Sequence, residues 1–366
     1  MSTFAVSARR ITLHPIENAD RLEVARVDGT EYMAVVQKGL HADGDLIVYI
    51  PEQAILPDQI IDEMGLVSAE GKTMLAGGTI LPDGTKKRDR VKALRLRGTL
   101  SQGLIYSHTA KLGELQEGVD YAEALGVVKY QPPIPTDLDG AVEHCPGLRP
   151  YTNLENIKNF PGVFVDGEEV VAVEKCHGTQ SNYSLIAGEF VISSKGLAGK
   201  QLRLVDERGP DGKYRNAYFR IADRFDLEAK LQQIAGRYPG ETISLFGETY
   251  GVQELMYGLQ KGELGFKAYD IRVGDRYLPF DDFTAVCAEL AIPTLPVIYR
   301  GPFDRDVIEQ AATGPEQTSG RQTHHREGVV VRAVTERHDP QVGRAILKVI
   351  SWKYLAKKGE DGTEYE

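Results

Sequence analysis

Cysteine is scarce in this 366-residue chain. Cys145, Cys176 and Cys287 are its only three, too few and too scattered for a disulfide framework or a zinc site. Long apolar runs are missing too. None approaches the roughly 18 residues that a membrane span needs, and the opening MSTFAVSARRITLHP lacks the apolar core of a signal peptide. Positive charge is in the minority: 43 Lys and Arg against 53 Asp and Glu give −10. That excludes a wholly basic, histone-like nucleic-acid binder, but not a local basic patch. The expectation is a cytoplasmic protein with no membrane partner. What is present is an ordinary globular balance, 42% hydrophobic and 26% charged. The length suggests about two domains.

Residues 1–125 read as short strands broken by Gly, Asp and Pro, for example 22–27, 32–36 and 46–50, the last followed by Pro51. Strands this short with turn signals between them predict a small barrel. The Pro-rich run at 130–135 cannot continue a helix or a central strand. The expected division is therefore a barrel over 1–130, a linker over 131–150 and a second domain over 151–366. In the second domain, strands are expected at 170–173, 190–193, 242–246, 268–273, 329–332 and 345–350. Leu227, Leu231, Ile234, Ala235 and Tyr238 fall at helical spacing. So do Phe283, Val286, Cys287 and Leu290, after a cap at Asp281 or Asp282. Strands and helices mixed without strict βαβ alternation predict an α+β class. The tail 359–366, with four acids and no base, is expected to fray.

The chemistry concentrates at Glu174-Lys175-Cys176-His177-Gly178-Thr179-Gln180, closing an apolar strand. A lysine there sits at the mouth of a pocket, and the glycine lets backbone approach a ligand. Cys176 alternates away from Lys175 on a strand and reads as packing. Downstream, in order, come Ser193-Ser194-Lys195-Gly196, Leu245-Phe246-Gly247-Glu248, Phe266-Lys267-Ala268-Tyr269-Asp270-Ile271, Arg326-Glu327-Gly328 and Leu347-Lys348-Val349-Ile350-Ser351-Trp352-Lys353. Each puts a charged or aromatic residue at a strand end. Taken singly, each has a plainer reading: surface carboxylates at Glu248 and Glu327, a core Tyr269, a structural His177, a solvated face at Lys348 and Lys353.

As an ordered set, the six pieces resemble motifs I, Ia, III, IIIa, IV and V of the covalent nucleotidyltransferases, the superfamily of ligases and mRNA capping enzymes. Glu-Lys-x-His-Gly-Thr resembles the RNA ligases, because DNA ligases and capping enzymes usually carry Asp where His177 stands. At the other end, the run from His14 to Val24 (HPIENADRLEV) resembles the opening of tRNA-binding OB folds attached to some synthetases. With the segment 91–98 and Ser101-Gln102-Gly103-Leu104, the whole chain resembles the Deinococcus-type RNA ligases. DNA ligases and capping enzymes place an OB domain after motif V. Here 13 residues follow Lys353 (366 − 353), and the OB-like segment comes first.

The resemblance implies an OB-like barrel followed by a ligase adenylation domain with antiparallel sheets and flanking helices. It implies ATP with Mg²⁺ or Mn²⁺ as cofactors, RNA ends or a nicked duplex as partner, and no protein partner. It makes Lys175 the nucleophile. A free lysine amine titrates near 10.4, so it needs neighbouring cations such as Lys348 and Lys353, or a metal, to be neutral. Those cations, with Lys195, would offset charge on the α-phosphate. Glu327 would bind metal and Glu248 the ribose or metal. Tyr269 would stack on the purine, Glu174 and Gly178 would meet the nucleotide through backbone, and His177 would orient the pyrophosphate or its metal. Gln180 completes the nucleotide set, where related ligases often have Asn. Lys195 stands where some relatives use Arg. Motif V often reads Lys-x-Lys, whereas Lys348 is followed two residues on by Ile350 and the next lysine is Lys353. The alternatives are a DNA ligase, a capping enzyme, or an inert tRNA- or RNA-binding module.

Residues 86–97 hold Lys86, Lys87, Arg88, Arg90, Lys92, Arg95 and Arg97 against Asp89, a net +6 in twelve. Such a run can pair with phosphates. The plainer reading is a solvated loop. In an OB-like context, Lys86, Lys87, Arg88, Arg95 and Arg97 are the expected nucleic-acid contacts, made to backbone and ends rather than to base sequence.

Overall fold

The computed structural model describes residues 4–17, 19–68, 70–131, 138–206, 208–252 and 255–355. The prolines at 132–135 and the 359–366 tail lie outside the described residues. The chain divides into two compact units. One is Met1–Pro132 with Glu155–Gly162 and Ile350–Glu366; the other is Pro133–Leu154 with Val163–Val349. The division is therefore not a single cut near 131–150. Two later segments belong with the N-terminal unit. No helix among the described residues is long and apolar enough to cross a membrane.

The first unit is built from β1 (Ser7–Pro15), β2 (Leu22–Val27), β3 (Met33–Gln37), β4 (Leu46–Ile50), β5 (Ala54–Ile55), α1 (Asp58–Glu63), β6 (Ala76–Ile80), β7 (Lys86–Arg90), β8 (Leu94–Leu96), β9 (Thr99–Ser101), β10 (Leu104–Tyr106) and β11 (Val128–Lys129). Its main sheet runs β10-β4-β1-β2-β3. Strand alternation explains its two cores. On β4, Ile47 and Tyr49 join Ile11, Ala25 and Val27 in one cluster, while Val48 and Ile50 join Leu56, Ile60 and Ile61 in the other. The Gln102 N–H donates to the Met33 carbonyl at 2.7 Å, and the Val35 N–H donates to Ser101 Oγ at 2.9 Å. These bonds carry the far end of the sheet back to β3 and leave a nearly closed barrel. A second sheet runs β11-β5-β7-β6. β8 and β9 form a hairpin whose two-residue turn is Arg97-Gly98, with φ +49° and +86°, the backbone a tight right-twisted hairpin requires.

The second unit is built on two large antiparallel sheets, with two two-stranded ones beside them among the described residues. Its first has β12 (Glu169–Lys175) between β18 (Val297–Pro302) and β19 (Gly328–Ala333), with β20 (Ile346–Ile350) beyond β19. The second runs β14 (Glu189–Ser194), β13 (Thr179–Ile186), β15 (Ile243–Tyr250), β16 (Gly265–Val273), β17 (Arg276–Tyr277). Helices cover both large sheets; the central strand β12 is an apolar run, whereas β13 carries buried Ser181, Asn182 and Ser184 among its apolar residues. α4 (Leu227–Ala235) packs on β13 and β15, α5 (Phe280–Glu289) on β16, and α6 (Arg305–Ala312) on β12, β18 and β19. α4 buries Leu227, Leu231 and Ile234 as its spacing predicts. The helix ends at Ala235, so Tyr238 falls in the turn beyond. The expected cap of α5 is displaced. The helix starts after Pro279, and Asp281 and Asp282 lie in its first turn, where carboxylates favour the positive end of the dipole. Two further helices, α2 (Lys195–Ala198) and α3 (Ala217–Arg224), belong to the unit.

The two sheets are joined by three residues, Cys176-His177-Gly178, between the end of β12 and the start of β13. A Cβ on Gly178 would lie 2.4 Å from the Thr249 carbonyl oxygen. Only glycine permits that crossing.

Candidate active site

Lys175 is the last residue of β12 and pairs in register with Gly328. That register puts Glu327 beside it. Lys175 Nζ donates to Glu327 Oε1 in a close ion pair, with the Glu327 side chain fully buried and that of Lys175 17% exposed. Glu327 Oε2 lies 3.7 Å from His177 Nδ1 and accepts no hydrogen bond among the described residues. Burial alone would push the Glu327 carboxyl up. Lys175 and His177 outweigh it and hold the group down at about 2.

Glu248, on β15, faces Gln180 on β13 and Lys267 on β16. It is half-buried, and desolvation pushes its carboxyl up to about 8. Lys175, His177 and Lys195 pull against that shift, and the Glu327 charge adds to it. The two carboxylates thus share one electrostatic neighbourhood with opposite protonation tendencies, a pattern that concentrates at functional sites. Gln180 Nε2 is buried and makes no hydrogen bond among the described residues. Lys195 opens α2 and is exposed, its Nζ 3.3 Å from Asn153 Oδ1. Tyr269 occupies a bulge where the register of β15 and β16 shifts between Phe246 and Gly247. It is half-buried and stands edge-on to Tyr151, with centroids 5.1 Å apart. Tyr151 is fixed from behind, its hydroxyl donating to the buried Asp270 at 2.9 Å. Lys348 is a buried residue of β20 in the same unit.

Lys353 falls in the other unit, on α7 (Trp352–Leu355), 5.6 Å from the centroid of the Trp352 ring. Glu174 is fully buried, and its N–H donates to the Pro296 carbonyl at 2.9 Å. Its carboxylate accepts from the Gln317 N–H at 2.6 Å and from the Thr318 hydroxyl at 3.0 Å. Glu174 therefore ties the loop before Glu327 to the strand that carries Lys175. Glu316 organises the same loop, accepting from the Thr323 N–H at 2.9 Å and the Ser319 N–H at 2.9 Å. Tyr257 holds the crossing itself. Its hydroxyl accepts from the His177 N–H at 2.6 Å, and its ring packs against Tyr250 and His324. Neither Tyr257 nor Glu316 is visible as a site residue in the sequence. Among the described residues, no three His, Cys, Asp or Glu side chains are grouped as a metal site. A cavity of about 640 Å³ lies elsewhere in this unit, lined by residues such as Phe190, Arg203 and Asp223, and includes none of these groups.

In the first unit the basic run splits. Arg90 is buried, stacked on Tyr130 at 4.3 Å and bonded to Gln53 at 3.2 Å. Lys87 pairs with Asp58 at 2.5 Å. Arg95 stacks on Trp352 at 4.6 Å. Lys86, Arg88 and Arg97 are exposed.

The sequence model of the RNA ligase family matches residues 168–350, half of the chain and the stretch that carries all of Lys175, Glu248, Tyr269, Glu327 and Lys348. The chain belongs to the RNA ligase family. A model of an OB-fold domain matches residues 5–108, the barrel. No curated protein matches this RNA ligase in sequence. Among solved structures it is similar to the Naegleria gruberi RNA ligase with PPi, at 23% identity and a TM-score of 0.75 over 97% of this chain and 98% of that one. It is also similar to two variants of that ligase, each with ATP and Mn. One superposes at 22% identity and a TM-score of 0.74, covering 95% of this chain and 97% of the other. The second does so at 21% and 0.73, covering 97% and 98%. The likeness is one of fold: an OB barrel followed by a sheet-rich nucleotidyltransferase domain.

Proposed function

We propose that this RNA ligase is ATP-dependent and of the Deinococcus type, joining 3′-OH and 5′-phosphate ends in nicked duplexes with RNA on the 3′-OH side. The observation that carries the reading is the Lys175–Glu327 pair, a lysine at a strand end held by a buried carboxylate with a second, half-buried carboxylate nearby.

Lys175 is the nucleophile. Once its proton is lost, Nζ attacks the α-phosphorus of ATP, and the new N–P bond forms as the P–O bond to pyrophosphate breaks. An oxygen of the RNA 5′-phosphate then attacks the same phosphorus, and the N–P bond breaks to return the lysine. The 3′-OH finally attacks the activated 5′-phosphorus and AMP leaves. Lys348 and Lys195 are the cations placed to offset phosphate charge. Tyr269 stacks on the adenine, and the unbonded Gln180 Nε2 donates to the nucleotide. Two carboxylates suit a divalent ion that takes its remaining ligands from phosphates and water, and the unbonded Glu327 Oε2 fits that role beside Glu248. Such an ion, when bound, supplies positive charge that competes with the lysine ammonium for Glu327. The solved Naegleria gruberi variants with ATP and Mn favour this pairing of nucleotide and metal.

Mass spectrometry after incubation with ATP and Mg²⁺ or Mn²⁺ tests it. An added AMP is expected on the wild type and absent from Lys175→Ala. No adduct on the wild type refutes the mechanism, and an adduct surviving Lys175→Ala refutes the nucleophile. Adduct formation from GTP instead would point to capping chemistry.

A further inference from the structure

The chain has a single tryptophan, Trp352. It stands 42% exposed on α7, although large aromatics normally bury their apolar body. The Arg95 guanidinium lies over its ring at 4.6 Å, and Lys353 Nζ lies 5.6 Å from the same centroid. Arg95 is itself held in place, its Nε donating to the Gly98 carbonyl at 2.9 Å across the β8–β9 turn. The next outward residue of that turn, Arg97, is exposed. All four residues belong to the first unit.

An exposed indole beside a fixed guanidinium and a second cation is poorly explained as packing. It has the composition of a surface that takes a base against its π-face while cations meet the adjoining phosphates. Because Arg95 is pinned by the hairpin, little ordering remains for binding to supply. We infer that Trp352, clamped by Arg95 and flanked by Lys353, is a stacking platform for a base exposed at the strand break of the RNA substrate. The inference rests on the RNA-joining function and adds a named contact to it. It also gives Lys353 a phosphate of the RNA strand as its partner.

The lone tryptophan makes the platform directly observable. An unlabelled nicked duplex with RNA on the 3′-OH side is titrated into the full-length protein while indole emission is followed. Binding is read separately, by anisotropy of the same duplex carrying a label. The emission should quench and saturate over the concentration range of the anisotropy change. Trp352→Leu should weaken nick binding about tenfold, and Trp352→Phe, which keeps a ring, by no more than about threefold. Unchanged emission while anisotropy reports binding overturns the platform, as does a folded Trp352→Leu that binds like the wild type. If Trp352→Leu fails to fold, the wild-type titration and Trp352→Phe decide. A wild type that binds no nicked RNA by anisotropy overturns the RNA-joining function, and the platform with it.

Discussion

Lys175, partly exposed at the end of β12, and Glu327, fully buried just before β19, form one ion pair, and His177 faces the carboxylate from its other oxygen. Removing one member of a buried pair strands the other, at a cost of about 3–5 kcal/mol. Lys175→Met should therefore abolish AMP addition and also lower stability by roughly that amount. Lys175→Met combined with Glu327→Gln should recover most of the loss. Urea unfolding of the two variants checks this. Equal midpoints for both would show that the pair contributes little to the fold.

Glu248 titrates in the opposite direction. Burial raises its carboxyl from 4.5 to about 8 in the folded protein. The folded state then holds the proton more tightly than the unfolded state does. Stability falls as pH rises from about 4.5 to 8, and levels off above. Glu248→Gln removes that dependence. Its melting temperature should match the wild type near pH 4 and exceed it at pH 9. A difference that does not change with pH would contradict the burial of this group.

Gln180 offers a test in which stability and binding move apart. Its buried Nε2 makes no hydrogen bond among the described residues, and an unpaired buried donor costs about 1–3 kcal/mol. Gln180→Met should raise the melting temperature without nucleotide by a few degrees. The further rise on adding ATP should shrink. Thermal shift with and without ATP reads both, and a larger ATP shift in the variant would remove Gln180 from the nucleotide site.

Tyr257 acts through the crossing that His177 occupies. Tyr257→Phe takes the acceptor from the buried His177 N–H and leaves the ring stack with Tyr250 and His324 in place. The initial rate of AMP addition should fall about tenfold, with the ATP concentration for half-maximal rate little changed. A variant altered only in that concentration would make Tyr257 a nucleotide contact rather than a positioning residue.

The chemistry of the site was legible in the sequence because its residues end or interrupt strands. Lys175 closes an apolar strand, Glu327 precedes the apolar run 329–331, and Glu248 and Tyr269 are polar or aromatic groups within strands. Their meeting was not legible. It depends on register, Lys175 against Gly328 and Glu248 against Gln180, which a single sequence does not encode locally. Tyr257 lies 80 residues from its partner with no turn or period to mark it. The carboxylate of Glu174 was hidden for a related reason: Gln317 and Thr318, which it ties down, sit on a distant loop. The +6 run is split by its surroundings. It spans β7, a break and β8, and although Lys86, Arg88 and Arg90 alternate onto one face of β7, Arg90 is buried against Tyr130 and Gln53 at the strand's end while Lys86 and Arg88 stay exposed.

Cys176 is the residue directly after Lys175. A thiolate is a nucleophile as an amine is, and on the proposed mechanism an activated phosphorus would arrive beside both neighbouring side chains. The fold selects between them. Cys176 is buried, and desolvation raises its thiol well above its ordinary value, whereas Lys175 keeps an outlet to solvent. On the proposed mechanism, the choice of nitrogen over sulfur would then rest on burial, one residue beyond the end of β12. Alkylating reagents should spare Cys176 for as long as the crossing stays folded.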